Sequence, residues 1–145
     1  MNQNTMPTYS VVELRDLDDD DAVAGGFSDT LEARFARSAL GCDRIGISLQ
    51  RVKPGARAPF AHRHSVDEEI YVVVAGSGRA LVEGKLVKLG PWTVLRVAAA
   101  AARSFEAGSE GLEFLAFGTH TEGDRGEFVE ASWPDCGQVA ARSER

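Results

Sequence analysis

The chain has 145 residues, of which 43% are hydrophobic and 26% are charged. This length suits one domain with a single core, and the composition excludes a disordered, fibrous or disulfide-stapled protein. Sixteen basic and twenty-two acidic residues give a net charge of −6, with no basic run that would neutralise a phosphate backbone. We therefore expect no nucleic-acid partner.

The sequence also lacks membrane and export signals. No apolar stretch reaches the roughly 18 residues of a membrane-spanning helix, and residues 1–10 lack the basic and apolar regions of a signal peptide. Cys42 and Cys136 are far apart and form neither a CxxC nor a CxxH motif. We expect a cytoplasmic protein with two reduced thiols and no membrane partner.

Glycines and prolines divide the sequence into short segments that leave little room for long helices. Alternation of apolar and polar residues, with many Val, Ile, Tyr and Phe, predicts β-strands between these breaks. The predicted strands cover residues 9–14, 31–36, 44–52, 69–75, 79–82, 85–89, 93–97, 103–107 and 112–117. Short strands separated by turns are typical of a β-sandwich, barrel or jelly roll. The five alanines at 98–102 are too few for a stable helix and are predicted to connect two strands.

Chemistry is concentrated in residues 54–76, which contain two of the three histidines. In a strand, His62 and His64 would point to the same face about 6.8 Å apart. Glu69 begins the next predicted strand, and antiparallel pairing would bring its carboxylate beside the imidazoles, with Tyr71 on the same face. Two histidines and one carboxylate form the facial triad of non-haem iron and also suit manganese, nickel or zinc. The alternative is a pair of solvent-exposed histidines on an edge strand.

The spacing of these residues resembles motif 1 of the cupin superfamily: Gly, five residues, HxH, three or four residues, Glu, six residues, Gly. Here Gly55 is followed by six residues, His62 and His64, four residues, Glu69, six residues and Gly76. Only the interval between Gly55 and His62 differs from the motif, because it is one residue longer.

The resemblance extends over roughly residues 44–117. It implies a double-stranded β-helix, a jelly-roll barrel of six to eight strands whose mouth holds the site, usually in a homodimer. We expect an N-terminal arm with the first strands at 1–40, a barrel core at 41–120 and a polar extension at 121–145, all in one domain. The leading strand or arm at 9–36 is expected to pack on the dimer partner.

This sequence differs from the family pattern at motif 2. Arg103 aligns with the histidine that supplies the last metal ligand, as in a group of small bacterial cupins of unassigned role that this region resembles. A guanidinium has no lone pair for a metal, so Arg103 is not a ligand. It would pair with Glu69 in a closed, metal-free cluster, or grip the carboxylate or phosphate of a small ligand. Tyr71 would donate a hydrogen bond to a ligand, or simply fill the barrel.

The sequence thus predicts a small cupin that binds a small anionic molecule, with Arg103 and Tyr71 as ligand-binding residues. A divalent metal (iron, manganese, nickel or zinc) at His62, His64 and Glu69 is one option, and no metal is the other. A metal-dependent enzyme of the dioxygenase or isomerase type and a metal-free cupin without a catalytic role are the alternatives. No organic cofactor is expected, and no catalytic residue is assigned.

Overall fold

The computed structural model describes residues 7–19 and 25–134. Within them, eight strands form one antiparallel sheet, accompanied by a single-turn α-helix and a short 3-10 helix. The strands are β1 Leu31–Phe35, β2 Ile45–Val52, β3 Ala61–His64, β4 Glu69–Val82, β5 Lys85–Leu89, β6 Val94–Val97, β7 Arg103–Thr119 and β8 Gly126–Val129. The helices are the 3-10 helix Leu14–Asp16 and α1 Arg37–Leu40. None of these helices has the length and apolar character needed to cross a membrane.

Two long strands organise the sheet. β4 and β7 pair from Glu69 opposite Gly118 to Val82 opposite Arg103. Along one path the neighbours run β1-β2-β7-β3-β8, while β4 also pairs with β5 and β6. Because both long strands carry different neighbours at their two ends, the sheet curls on itself. This curled antiparallel sheet confirms the predicted all-β jelly-roll barrel.

The glycines at 76 and 78 lie inside a strand, so the predicted turn there is wrong. Segments 69–75 and 79–82 form the single strand β4, with register shifts between Val73 and Ala75 and between Gly76 and Gly78. A Cβ atom on Gly76 would lie 2.0 Å from the carbonyl oxygen of Gly111. These glycines therefore permit a bulged strand to approach its neighbour closely, where a side chain would collide.

Alternation along β4 separates the barrel interior from its outer face. Tyr71 and Val73 are buried at 2% and 1% exposure, whereas Ile70 is 37% exposed. The ring centroids of Tyr71 and Phe105 lie 4.8 Å apart, and those of Phe105 and Phe114 lie 4.7 Å apart. These aromatic side chains fill the interior beneath the histidines, so the site lies at the mouth of the barrel.

The described part of the N-terminal arm lies on its own barrel. Residues 9–14 were predicted as a strand, but no strand forms there, and Tyr9 is 79% exposed. Alternation is a local signal, whereas a strand also needs a neighbour with free backbone groups. Ser10 Oγ donates to the carbonyl of Leu40 at 2.6 Å, and Asp19 Oδ1 accepts from the Ala33 amide at 2.7 Å.

The C-terminal region contributes to the sheet. Residues 121–145 were expected to form an extension, yet strand β8 within them pairs along β3 from Ala61 opposite Val129 to His64 opposite Gly126. Residues 135–145, including Cys136, lie outside the described residues. The alanines at 98–102 form the predicted connection between β6 and β7. The proposed division at residues 40/41 and 120/121 stays a prediction.

Candidate metal centre

His62 and His64 project from β3 toward the same side of the sheet. Their ring centroids are 5.3 Å apart, and the ring planes are almost perpendicular. The two side chains are 28% and 21% exposed, which places them at the mouth and in reach of solvent. A spacing of two residues in a strand produces this shared face, as the sequence predicted.

Glu69 reaches both imidazoles from the first position of β4. Its Oε1 atom lies 3.3 Å from Nε2 of His62 and 3.3 Å from Nε2 of His64. The expected route was direct pairing of the two strands, and that expectation is wrong, because β3 pairs with β7 and β8. Curvature of the barrel, rather than hydrogen bonding between the strands, brings the carboxylate to the imidazoles.

The chemistry and spacing of these three side chains fit a divalent metal. Each of His62, His64 and Glu69 offers one ligand atom, and the three atoms lie within 4.8 Å of one another. Ligands about 2.1 Å from an ion are about 3.0 Å apart at a 90° angle and about 3.4 Å apart at a tetrahedral angle. The two 3.3 Å separations between the carboxylate oxygen and the histidine nitrogens agree with this range.

Gly118 makes room for the carboxylate. It pairs with Glu69 across β7 and β4, and a Cβ atom at this position would lie 3.2 Å from Glu69 Cγ. That distance is tighter than an ordinary carbon contact. The absence of a side chain at Gly118 therefore lets Glu69 hold its present orientation.

Tyr71 lies directly beneath the carboxylate. Its hydroxyl donates to Glu69 Oε1 at 2.8 Å, and the side chain is 2% exposed. Burial and the neighbouring Glu69 charge raise the pKa of Tyr71 well above its ordinary value, so the hydroxyl keeps its proton. In the described structure, its hydrogen bond goes to Glu69.

Burial raises the pKa of Glu69, but hydrogen bonds from His62 and Tyr71 and the charges of both histidines outweigh it. The net pKa is lower than the ordinary value, so Glu69 is ionised at neutral pH. An ionised carboxylate is the form that binds a metal.

Arg103 is fully buried, with its side chain 0% exposed. Its two terminal nitrogens donate to backbone carbonyls, those of His62 and Ala98, each at 3.2 Å. Nη2 also lies 4.0 Å from Glu69 Oε1, while Nε has no hydrogen-bond partner among the described residues. The guanidinium thus supports the strand that carries the histidines and places a positive charge near the carboxylate.

Asp124 is a site residue that the sequence analysis missed. Its Oδ2 atom lies 2.9 Å from His64 Nδ1, on the side of the ring opposite Glu69. Burial opposes ionisation of Asp124, but hydrogen bonds from the amides of Asp67 and Val66 and from His64 hold its pKa far below the ordinary value. It lies in a polar loop after β7, and no motif spacing relates it to the histidines.

His64, Asp67 and Asp124 form a second cluster of potential metal ligands. The acceptors in this cluster are already occupied. Asp67 Oδ1 accepts from the hydroxyl of Thr119 and from the Thr121 amide, each at 3.0 Å. These contacts tie the loop after β3 to the end of β7 and the loop that follows it, and they explain the cluster without a metal.

A cavity of about 580 Å³ lies beside His64, within the size range of small-molecule sites. It is lined by Arg63, His64, Ser65, Ala100, Arg125, Gly126 and Glu127. Arg63 donates to Glu127 at 3.0 Å, which leaves Arg125 to add a positive charge to the wall. A ligand in this cavity would contact one edge of the candidate metal centre.

The fold is shared with solved structures. A cupin protein from Bacteroides fragilis is 21% identical, with a TM-score of 0.65, and the match covers 93% of this chain and 99% of that chain. A sugar phosphate isomerase of the cupin superfamily from Silicibacter pomeroyi is 18% identical over 91% and 92% of the two chains, with a TM-score of 0.61. Salicylate 1,2-dioxygenase from Pseudoaminobacter salicylatoxidans, solved with gentisate, is 14% identical over 76% of this chain and 33% of that one, with a TM-score of 0.61.

No curated protein matches the sequence. Residues 5–91, more than half of the chain, match the family described as auxin binding protein. The same residues contain the two histidines, Glu69 and the glycines of the bulged strand. The chain therefore belongs to the auxin-binding protein family, within the cupin superfamily.

Proposed function

We propose that this protein binds a small anionic molecule at the barrel mouth, next to a divalent metal held by His62, His64 and Glu69. The observation that carries the proposal is the approach of both Nε2 atoms to one carboxylate oxygen at 3.3 Å. Three protein ligands leave coordination positions for water or substrate. Iron, manganese, nickel or zinc would suit this donor set, and the bound ion would act as a Lewis acid or, for iron, support oxidation by dioxygen.

Charge favours an anionic ligand. A divalent metal and the buried Arg103 together outweigh the negative charges of Glu69 and Asp124, and Arg125 adds a positive charge to the adjacent cavity. In a partly buried site, such an excess of positive charge attracts carboxylates and phosphates. Two of the structural neighbours are named for anionic compounds, a sugar phosphate and salicylate.

Metal content tests the first half of the proposal. Tag-free protein purified without chelator is analysed by plasma mass spectrometry beside the variant His62→Ala/His64→Ala. We expect near-stoichiometric metal in the wild type and none in the variant. His120→Ala is the matched control, because His120 is exposed and lies outside the triad, and it should retain the metal. No metal after reconstitution, or full metal in the double variant, would contradict the proposal.

Ligand binding tests the second half. Titration of the metal-loaded protein with salicylate, gentisate and a sugar phosphate should show tighter binding than titration with uncharged analogues such as salicylamide. Arg125→Gln should weaken the binding of the anion several-fold. Arg96→Gln should not, since Arg96 is an exposed residue paired with Glu68 and does not line the cavity. Equal affinity for charged and uncharged compounds would count against an anionic ligand.

A metal-free cupin without a catalytic role is the second candidate, and one observation favours it. Glu69 Oε1 already accepts from Tyr71 and lies 4.0 Å from Arg103 Nη2, so the carboxylate has partners without a metal. In that case no divalent ion would raise the melting temperature. A stabilisation of a few kcal/mol at metal concentrations far above the dissociation constant would exclude this candidate.

We also propose a cytoplasmic homodimer. Exposed apolar side chains on the outer face support the dimer, among them Ile70 at 37% and Val94 at 59% exposure. These residues belong to the paired strands β4 and β6. Sedimentation of the wild type and of Val94→Asp should show a dimer that the charge dissociates. A wild-type monomer at micromolar concentration would refute the dimer.

A further inference from the structure

One carboxylate joins His64 to the loop that leads to Glu69. Asp124 Oδ2 lies 2.9 Å from His64 Nδ1. Its other oxygen, Oδ1, accepts from the amides of Val66 at 2.8 Å and Asp67 at 2.9 Å, and from the Ser65 hydroxyl at 3.4 Å. The side chain of Asp124 is only 10% exposed, so solvent has little room to replace these contacts.

The carboxylate of Asp124 determines which ring nitrogen of His64 carries the proton. A carboxylate offers only acceptors, so Nδ1 must donate to make the 2.9 Å contact. A neutral imidazole with a proton on Nδ1 has its lone pair on Nε2. The competing acceptor for a proton on Nε2 is Glu69 Oε1, which is farther away at 3.3 Å and already accepts from Tyr71.

We propose that Asp124 is the positioning residue of the metal centre: it holds His64 as the Nδ1–H tautomer, which leaves the Nε2 lone pair available to a metal. Carboxylates that accept from the second nitrogen of a metal-binding histidine orient the ring and raise its affinity as a ligand. The effect on metal binding rests on the proposed function. The tautomer of His64 belongs to the metal-free chain and is measured separately.

Asp124 also couples two of the three ligands. The amides of Val66 and Asp67, which it anchors, lie between His64 and Glu69 in the chain. A single side chain on the loop before β8 therefore fixes the ring of one ligand and the backbone that leads to another. For His62, the only side-chain hydrogen bond found within the described residues is the 3.3 Å contact to Glu69.

The decisive variant is Asp124→Asn, which preserves the size of the side chain. Its amide oxygen would accept from the Val66 and Asp67 amides, while its NH₂ group would donate to His64 Nδ1. The proton of the imidazole would then move to Nε2, the atom that must bind the metal. An equivalent carboxylate-to-amide change beside a catalytic histidine produces the wrong tautomer in serine proteases.

The tautomer is read by long-range proton–nitrogen NMR on metal-free protein labelled with ¹⁵N-histidine, at a pH above the titration of the ring. The three histidines are assigned with His62→Ala and His120→Ala. We expect Nδ1–H at His64 in the wild type and Nε2–H in Asp124→Asn. Ser65→Ala, which removes a loop contact to Asp124 without touching the ring, should retain Nδ1–H. A wild type with Nε2–H, or a variant with no exchange of tautomer, would overturn the proposal.

Zinc affinity provides the second measurement, by competition with a fluorescent chelator. Asp124→Asn should bind Zn²⁺ about 10- to 100-fold more weakly than the wild type and Ser65→Ala. An exchanged tautomer with unchanged zinc affinity would refute the positioning role. A wild type that takes up no metal but shows the tautomer exchange would refute the proposed metal centre and still support control of His64 by Asp124.

Discussion

Tyr71 donates its hydroxyl hydrogen to Glu69 Oε1 at 2.8 Å, the same oxygen that faces the Nε2 atoms of both histidines. Tyr71 is two residues after Glu69 on β4, so both side chains lie on the inner face of the strand. The ring packs against Phe105 and Phe114, with centroids 4.8 Å and 5.5 Å away, and is held in the core by these contacts. A fixed donor from the core thus orients the carboxylate at the mouth.

Tyr71→Phe should lower the free energy of unfolding by about 1–2 kcal/mol, because a partly buried carboxylate loses a hydrogen bond while the aromatic packing stays. Urea denaturation of the metal-free protein measures the change. Tyr9→Phe is the control, since the only other tyrosine is 79% exposed and should have no effect. Equal stability of Tyr71→Phe and wild type would show that the hydrogen bond contributes nothing.

Gly118→Ala should weaken metal binding while the fold is retained. The added Cβ atom would lie 3.2 Å from Glu69 Cγ and displace the carboxylate by a few tenths of an ångström. Chelator competition should show a loss of about tenfold in affinity, in line with other disturbances of the groups around a metal.

Gly46→Ala is the matched control for that change. Gly46 pairs with Gly118 across β2 and β7, but the nearest atoms to its added Cβ lie 3.9 Å away, at an ordinary contact distance. It should bind metal like the wild type. A comparable loss in both alanine variants would attribute the effect to the sheet rather than to Glu69.

Arg103→Met should destabilise the protein by about 3–5 kcal/mol. The change removes the fully buried positive charge beside Glu69 and the two hydrogen bonds that Arg103 donates to the carbonyls of His62 and Ala98. Arg96→Met, at a side chain 62% exposed, should change stability by no more than about 0.5 kcal/mol. Urea midpoints of the two variants decide the matter, and equal midpoints would show that the buried guanidinium is dispensable.

The low pKa of Asp124 predicts a pH dependence of stability. An unfolded aspartate has a pKa of about 3.9, and the folded value lies far below it. Its ionised form therefore stabilises the fold fully above about pH 5, and this contribution is lost as the pH falls. Urea midpoints of the metal-free wild type should fall more steeply between pH 6 and 3 than those of Asp124→Asn. Parallel profiles would contradict the prediction.

Several features of the fold follow from local signals. Alternation and turn residues predicted the strands that became β1, β2, β5 and β6 with bounds within one residue. The two longest strands were each predicted as two, because Gly76 and Gly78 in β4, and Gly108 and Gly111 in β7, have the composition of turns. The close backbone approach at Gly76 and Gly78 depends on the neighbouring strand, which local patterns do not describe.

The candidate ligands were also predicted from sequence, because a spacing of two in a strand determines that His62 and His64 share a face. The sequence did not predict how Glu69 reaches these histidines. The strand β3 pairs with β7 and β8 rather than with β4, so the curvature of the barrel brings the carboxylate to them. No sequence pattern identified Asp124 as a site residue. It is sixty residues from His64 in sequence, and only the pairing of β8 with β3 brings its loop to the ring.

The sequence by itself determined the all-β class, the identity of the three candidate ligands and the presence of an arginine beside them. Only the tertiary structure decided what that arginine does. Burial directed both terminal nitrogens of Arg103 to the carbonyls of His62 and Ala98, because buried donors require acceptors. Long-range packing also brought Asp124 to His64 and Gly118 to Glu69, and it thereby determined the orientation of the ligands that local spacing had already identified.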